Sequence, residues 1–524
     1  MEAVTEWLRR EKEQWAPSLQ DFRSRAGLVL KTALIGIFLC HALFVLHGYT
    51  SPDGTNEGLY YYWNQRWALS IGRWLMRYLS AIGANVVMPA LFVAFNAVCT
   101  AFTVLLLADL WKIRSKAILV LATLSLLVAP SVIEQNLVIH VAYSYGFSMV
   151  MTVLAAYLVL AHPGAPEFVL AVLCLTLGLG GYQAWVGFTA GVVVMTLLLD
   201  CAAEMPLGQI GRRFARAAAM GLLGGGLYFA ILQIEIRRYD VALSSKGGLS
   251  SFGAGSLAAN LMQGVAQAYR DFIAYFTKGP NHTGKALLLV LLGAGVLLLL
   301  GWLRLVRRKK WQAAVMAVLA LLLPLAINLV DVVVPGTINT LMSHPMQMMV
   351  PFALALAERE VGPKWWKNLV RFGACAAAVL VCWLSTVVCY ATYQTVAMAY
   401  RYVDTLTDAI LTRVLNDPAY TADSRVLIAG LPDESEAQEF NFLFDKSAYT
   451  KNMVFWDGTS GVLGNWKHYI YDYHGLWIGE VSTDEYHAIL DSEEFSEMPV
   501  YPKEGSLKKF DDILVVKLEE DPPR

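Results

Sequence analysis

Long apolar segments recur along most of the chain and are separated by short polar loops. A helix needs about twenty mainly apolar residues to cross the hydrocarbon core of a bilayer. On this criterion the sequence predicts about eleven membrane spans, at residues 26–46, 84–109, 117–133, 143–162, 167–181, 183–200, 217–235, 286–304, 312–334, 345–358 and 370–396. The fold class that this pattern indicates is a polytopic α-helical membrane protein.

Basic residues alternate from loop to loop, and cytoplasmic loops of membrane proteins collect lysine and arginine. If residues 1–25 are a cytoplasmic N-terminal segment, the inside loops contain basic clusters at 112–116, 212–216, 304–310 and 359–371. Outside loops contain none at 134–142, 181–182 and 335–344. An odd number of spans then places the C-terminus on the extracytoplasmic side.

Three longer polar segments fall on the predicted outside. Two of them are loops within a transmembrane domain of residues 26–396, at 47–83 and 236–285. The third is the tail that follows this domain, 397–524. We expect the tail to form a small extracytoplasmic α/β domain. Its strand-like runs, helical stretch and linking helix are predicted at 425–429, 513–518, 484–491 and 397–415.

The loop at 236–285 contains an amphipathic stretch from Leu257 to Phe276, which follows a Ser/Gly-rich piece. Apolar positions at helical spacing predict a helix here. This helix is either a lid with a flexible hinge or a static surface helix, and the pattern does not separate the two.

Composition agrees with lipid as the surroundings, since 56% of residues are hydrophobic and only 16% are charged. Soluble domains carry about 25% charged residues. The net charge of −1 argues against a broad nucleic-acid surface. All seven cysteines lie in or beside apolar segments, so no disulfide framework is predicted.

The first outer loop carries three arginines in a stretch with helical periodicity. At about 100° per residue, Arg66, Arg73 and Arg77 fall on one helix face. An adjoining stripe is formed by Trp63, Trp67 and Trp74. The pattern predicts one helix in the membrane interface. Its arginines either anchor lipid headgroups or bind a phosphate, for which guanidinium is well shaped.

Two acids precede these arginines in the same loop, Asp53 in Pro-Asp-Gly and then Glu57. A carboxylate at the membrane face can act as a general base on an acceptor hydroxyl. Asp in Pro-Asp-Gly also commonly makes a turn, and spacing alone favours the turn.

Further polar or aromatic residues fall at predicted outer span ends: Glu134, His140, Tyr182, Gln183, Asp331 and His344. Ionisable groups at membrane depth are costly unless paired or hydrated, which makes the acids and histidines site candidates. Tyr182 and Gln183 lie in a tight outer turn and could bind sugar hydroxyls. The alternatives are contact with headgroup water and, for Tyr182, an ordinary interfacial aromatic position. No His/Asp/Glu spacing indicates a metal site.

Several short motifs resemble the Gtr-type bacterial glucosyltransferase II family within the GT-C class of membrane glycosyltransferases. They are Pro52-Asp53, Gly72-Arg73-Trp74, the run from His140 through Tyr143 to Tyr145, and Gly181-Tyr182-Gln183-Ala184. Some relatives have paired acids after the loop aspartate, whereas Gly54 follows here and Glu57 is the next acid. The base assignment therefore stays open between Asp53 and Glu57.

This resemblance implies transfer of a hexose, glucose by family analogy, from a polyprenyl-phosphate donor to a cell-surface polysaccharide such as O-antigen. It implies catalysis outside a bacterial inner membrane by Asp53 or Glu57, with the donor phosphate on Arg66, Arg73 or Arg77. The remaining candidates would contact sugar or acceptor. No cofactor is expected, and a donor-synthesising synthase and a flippase are expected partners in the pathway.

Two other functions compete with this enzyme. A transporter or flippase of a lipid-linked sugar would tend to show repeated halves and mid-membrane charges, and we find neither in the sequence. A scaffold that anchors the tail would need far fewer than eleven spans. The enzyme interpretation leads.

Overall fold

The computed structural model describes most of the chain: residues 2–57, 66–81, 88–138, 141–244, 257–279, 283–333, 340–421, 423–433 and 453–524. Only the backbone is described for residues 2–19, 56–57, 257–260 and 333.

The described chain is mostly helical. Helices α1 to α9 are Glu2–Cys40, Ala42–His47, Pro52–Glu57, Arg66–Ser70, Met76–Ser80, Pro89–Leu110, Lys116–Leu127, Pro130–Leu137 and Ala142–Ala161. Helices α10 to α18 are Ala165–Tyr182, Val186–Ala202, Leu207–Arg238, Leu257–Thr277, Thr283–Arg308, Lys310–Ile327, Leu329–Val333, Met349–Arg359 and Lys364–Leu415. Short 3₁₀ helices at Gln183–Trp185 and Thr340–Met348 join some of them.

Seven helical units in the described residues are long and apolar enough to cross a membrane, or nine if two bent pairs are each counted as one span. The predicted count of eleven is not reached by this test. One of the seven units is the 38-residue stretch Ala165–Ala202, which is interrupted where Tyr182 adopts an extended backbone. The predicted span at 345–358 contains only the 11-residue α17 after a 3₁₀ turn.

Helix α18 is the longest element, with 52 residues. At 1.5 Å per residue it is about 78 Å long, more than twice the thickness of a hydrocarbon core. Its second half therefore extends beyond any bilayer that its first half crosses, in agreement with the linking helix predicted at 397–415. It ends at Leu415, where the C-terminal segment, residues 416–524, begins.

The C-terminal segment contains a three-stranded sheet. The strands and helices of this segment are, in chain order, β1 (Arg425–Ala429), α19 (Trp466–His474), α20 (Thr483–Leu490), α21 (Glu493–Ser496), β2 (Leu507–Phe510) and β3 (Ile513–Lys517). Strand β3 is central, parallel to β1 with Leu427 opposite Val515, and antiparallel to β2. Strands β1 and β3 and helix α20 lie where the sequence predicts them.

The two faces of this sheet bury different partners, as the two-residue period of strands requires. Leu427 and Val515 pack with Tyr486 of α20 in a local core. Val426 and Val516 on the other face belong to the large apolar cluster that continues into the helix bundle. The C-terminal segment is thus packed onto the bundle through one side of its sheet.

Helices α7 and α8 form one of the bent pairs, with 48° between them. Pro130 has no N–H, so it leaves the Leu126 carbonyl without its helical donor. Three side chains pair with carbonyls at this break: Gln347 with Ser125 at 2.9 Å, His344 with Leu126 at 3.1 Å and His41 with Leu127 at 3.0 Å. Because water is scarce at membrane depth, such side chains are what make a break tolerable.

His41 itself lies at the other bent pair, the 69° break between α1 and α2. Its Nδ1 accepts a hydrogen bond from the Tyr393 hydroxyl at 2.7 Å, while Asn136 donates to Tyr393 at 2.9 Å. All three side chains are buried. One polar network therefore fixes α1, α8 and α18 together at the two breaks.

The network predicts a specific stability effect at Tyr393. Tyr393→Phe removes the buried hydroxyl that His41 and Asn136 share, so we expect about 1–2 kcal/mol of destabilisation. The measurement is the thermal midpoint of the purified protein in detergent. The control is Tyr390→Phe on the same helix, where the ring is 37% exposed and the hydroxyl meets the Leu39 carbonyl. Equal shifts for both variants would contradict the network's role.

Candidate functional site

Asp53 lies in the first turn of α3, which follows an anchored segment at residues 48–51. The Thr50 hydroxyl and the Ser51 N–H both donate to the Leu137 carbonyl at the end of α8, at 2.7 and 2.8 Å. From the other side, the Tyr400 hydroxyl of α18 donates to the Thr50 carbonyl at 2.9 Å. The Pro-Asp-Gly triplet is therefore the start of a short helix rather than the turn that spacing favours.

The single interfacial helix predicted through the three arginines is wrong. Two short helices, α4 and α5, are separated by a turn in which Gly72 has φ of +85°. Such a backbone ends helical periodicity and favours glycine. The tryptophan stripe is divided as well, because Trp67 is exposed while Trp74 is buried; Trp63 lies outside the described residues.

The turn between α4 and α5 is docked on the end of α10. The Leu75 N–H donates to the Gly180 carbonyl at 2.8 Å, and the Gln183 side chain donates to the Ile71 carbonyl. Trp74 covers Gly180 so closely that a Cβ there would meet the indole ring at 2.5 Å. Gly180 and the adjoining Gly181-Tyr182-Gln183-Ala184 motif thus fix the loop that carries Arg73, and Gln183 serves as one of the anchors.

The three arginines consequently have different surroundings. Arg66 is exposed and donates to the Asp240 carbonyl at 2.6 Å. Arg77 is buried and forms an ion pair with Glu235 of α12. In the part of the chain that the structure describes, Arg73 has no ion-pair partner. Its guanidinium carbon lies 4.6 Å from the centre of the Tyr182 ring.

Arg73 faces a cluster of buried aromatic rings at the ends of α9 and α10. Tyr145 and Tyr182 meet edge to face with centroids 4.8 Å apart, and Trp185 lies 4.8 Å from Tyr182. The Tyr145 hydroxyl lies within electrostatic range of three charged side chains, namely Arg73, Asp53 and Glu134. One candidate cation and two candidate acids therefore lie within electrostatic range of the same hydroxyl.

Glu134 and His344 lie on the two sides of the break at Pro130. The Glu134 carboxylate accepts hydrogen bonds from the Thr340 hydroxyl and the Leu341 N–H. His344 donates from Nε2 to the Leu126 carbonyl and accepts at Nδ1 from the Gln135 amide, 3.1 Å away. The proton is assigned to Nε2 because a carbonyl can only accept. Burial lowers the pKa of His344 to about 4, so the imidazole is neutral near pH 7. Both of its nitrogens are occupied by protein groups.

Asp331 on α16 is completely buried and faces Asp271 of α13. Burial raises its pKa to about 8, and the neighbouring Asp271 carboxyl adds to the rise. Helix α13 forms as the amphipathic pattern predicts. The side-chain amide of Asn328, just after α15, donates a 2.9 Å hydrogen bond to the Ala268 carbonyl of α13 and holds the two helices together. A lid function for α13 stays a prediction.

Two candidates cannot be placed by their side chains. His140 lies outside the described residues, and of Glu57 only the backbone at the end of α3 is described. Conversely, the site candidates named from sequence omit Trp185, whose ring touches both Tyr182 and His344. Its position directly after the Gly181-Tyr182-Gln183-Ala184 motif was the available signal.

The Asp331 carboxyl predicts a pH-dependent stability. Because its folded pKa is above its unfolded value of about 3.9, the folded state retains a proton that the unfolded state has lost between about pH 4 and pH 8. Stability from this group is therefore full below pH 4 and is lost as pH rises through 8. We expect Asp331→Asn to melt progressively higher than wild type in detergent as pH increases from 5 to 8.

The matched control is Asp423→Asn, which changes an exposed aspartate. Its melting curve against pH should run parallel to that of wild type. If Asp331→Asn also ran parallel to wild type, the buried carboxyl would not be the source of the dependence.

Comparison with known proteins gives one match. A family model described as Glucosyl transferase GtrII matches residues 43–356, more than half of the chain. This range includes every candidate from Asp53 to His344 and excludes α18 and the C-terminal segment. Neither the curated proteins nor the solved structures contain a match.

Proposed function

Because the chain belongs to the GtrII glucosyl transferase family, we propose that it transfers a hexose from a polyprenyl-phosphate donor to a polysaccharide on the extracytoplasmic face of a bacterial inner membrane. Glucose and an O-antigen acceptor are the family-based choices for the sugar and the polysaccharide. The several apolar helices that suit a membrane support a lipid-linked donor, since the lipid tail and the protein then share one solvent.

The observation that carries this proposal is the position of Arg73. Its guanidinium lies beside the buried Tyr182 ring, and its charge and that of Asp53 both act on the Tyr145 hydroxyl. The contrast with Arg77, which is neutralised by Glu235, favours Arg73 as the ligand of an incoming phosphate. An unneutralised cation in apolar surroundings interacts more strongly with an anion than an exposed one does.

In the proposed reaction, the bond from the sugar anomeric carbon to the phosphate oxygen breaks as a bond to the acceptor oxygen forms. The electron pair of the broken bond stays on the polyprenyl phosphate, and Arg73 offsets the charge that develops there. Asp53 takes the proton of the acceptor hydroxyl. The sugar carbon passes through oxocarbenium-like character, as in other glycosyl transfers.

The remaining candidates have supporting parts in this scheme. Tyr182 and Glu134 line the region beside Arg73 and are proposed to contact sugar hydroxyls. Gln183 is proposed to hold the loop that carries Arg73, through its hydrogen bond to the Ile71 carbonyl. His344 is proposed to stabilise the break at Pro130, through its hydrogen bond to the Leu126 carbonyl. A synthase that makes the donor and a flippase that delivers it outside are the proposed pathway partners.

The experiment that tests this function is transfer of labelled hexose from polyprenyl-phosphate glucose to endogenous polysaccharide, in membranes carrying wild type, Asp53→Asn or Glu57→Gln. With Asp53 as the base, Asp53→Asn should lower transfer at least about 100-fold, the lower range for acid–base catalysis. Glu57→Gln should retain most activity. Immunoblots establish equal protein levels.

The reverse pattern would move the base to Glu57. Failure of wild-type membranes to transfer hexose from any polyprenyl-phosphate donor would contradict the proposal. A transporter or flippase of lipid-linked sugar would then be tested by movement of the labelled donor across vesicles.

A further inference from the structure

A buried asparagine of the C-terminal segment reaches the helix that carries Asp53. Asn465 is the last residue of a π-helix, Gly461–Asn465, and is completely buried. Its Nδ2 donates to the Pro52 carbonyl at 3.0 Å and to the Thr55 hydroxyl at 2.6 Å. These contacts join parts of the chain more than 400 residues apart.

The contact acts on the peptide unit next to the proposed base. The Pro52 carbonyl belongs to the peptide group whose N–H is that of Asp53, so a donor on this oxygen fixes the backbone at Asp53. The Thr55 hydroxyl, which accepts from Asn465, donates in turn to the Val454 carbonyl at 2.6 Å. Helix α3 is therefore held near its start and in its middle by the C-terminal segment.

The amide of Asn465 has only one useful orientation here. Its oxygen accepts the Trp456 N–H at 2.9 Å, so its two N–H groups both point at α3. A carboxylate at the same position would place an oxygen against the Pro52 carbonyl oxygen. The site thus requires a neutral group with two donors and one acceptor, which asparagine supplies.

We propose that Asn465 is a positioning residue for glycosyl transfer, and that the C-terminal segment completes the active site by setting the orientation of Asp53. This inference rests on the proposed function in one respect, the role of Asp53 as base. It goes beyond the matched family region, which ends at residue 356. Asn465 acts through the backbone of α3 and takes no part in bond making.

The first test is kinetic and uses the hexose transfer assay. Asn465→Ala and Asn465→Asp should lower kcat about 10- to 100-fold, the loss typical of a displaced catalytic group. The KM for the donor should stay within about twofold, because Arg73 is held by other elements. Thr55→Val, which replaces the hydroxyl with a methyl group, should lower kcat in the same way, whereas Thr55→Ser should retain it.

The matched control is Asn416→Ala, since Asn416 is exposed and its amide donates to the Thr412 carbonyl one helical turn away. Its kinetics should equal those of wild type. Wild-type kcat in Asn465→Ala, alongside a defective Asp53→Asn, would overturn the positioning role and leave the proposed function intact.

A second measurement does not require activity. Hydrogen–deuterium exchange of the peptide containing residues 52–57 should become about tenfold faster in Asn465→Ala, as expected when a buried hydrogen bond is lost. Peptides from α9 and α10 should exchange as in wild type and in Asn416→Ala. Unchanged exchange at residues 52–57 would overturn the inference even if no transfer is detected for any variant.

Discussion

Every backbone polar group at membrane depth must find a partner inside the protein, and the breaks in the helices show how this chain meets that requirement. At the bend between α7 and α8, three side chains from distant helices pair with the carbonyls of Ser125, Leu126 and Leu127. His41 belongs to both bends, because it lies at the break between α1 and α2 and also pairs with Leu127. The described helices are therefore tied together where they are interrupted.

The same helix ends supply the attachment points of the candidate site. The segment before α3 binds the carbonyl at the end of α8, and the loop with Arg73 binds the Gly180 carbonyl near the end of α10. Asp53 and Arg73 thus come from separate loops, each fixed by backbone hydrogen bonds to a rigid helix. Asn465 adds a third attachment from the C-terminal segment. A site built on such anchors keeps its charges in place, and among the described residues no acid forms an ion pair with Arg73.

Local patterns predicted what depends on local sequence. Apolar runs predicted most long helices, and short strand-like runs predicted β1 and β3 close to the positions observed. Periodicity failed at the arginines, because it assumes an unbroken helix, and Gly72 was the residue that signalled the turn. The count of eleven spans is not reached among the described residues for a related reason, since bends and 3₁₀ turns divide or shorten apolar runs. The contact of Asn465 with Pro52 had no signal in one sequence, because no local rule links such distant residues.

The most direct test of the central claim is binding of polyprenyl phosphate to purified protein in nanodiscs. Polyprenyl phosphate is the part of the donor that remains after the sugar has been transferred. The account predicts that Arg73→Gln weakens binding at least about tenfold, the loss expected when a charged hydrogen bond is removed. Arg66→Gln, which changes an exposed arginine of the same loop, should bind like wild type. Equal affinities for Arg73→Gln and wild type, with both proteins folded, would contradict the assignment of Arg73 as the phosphate ligand.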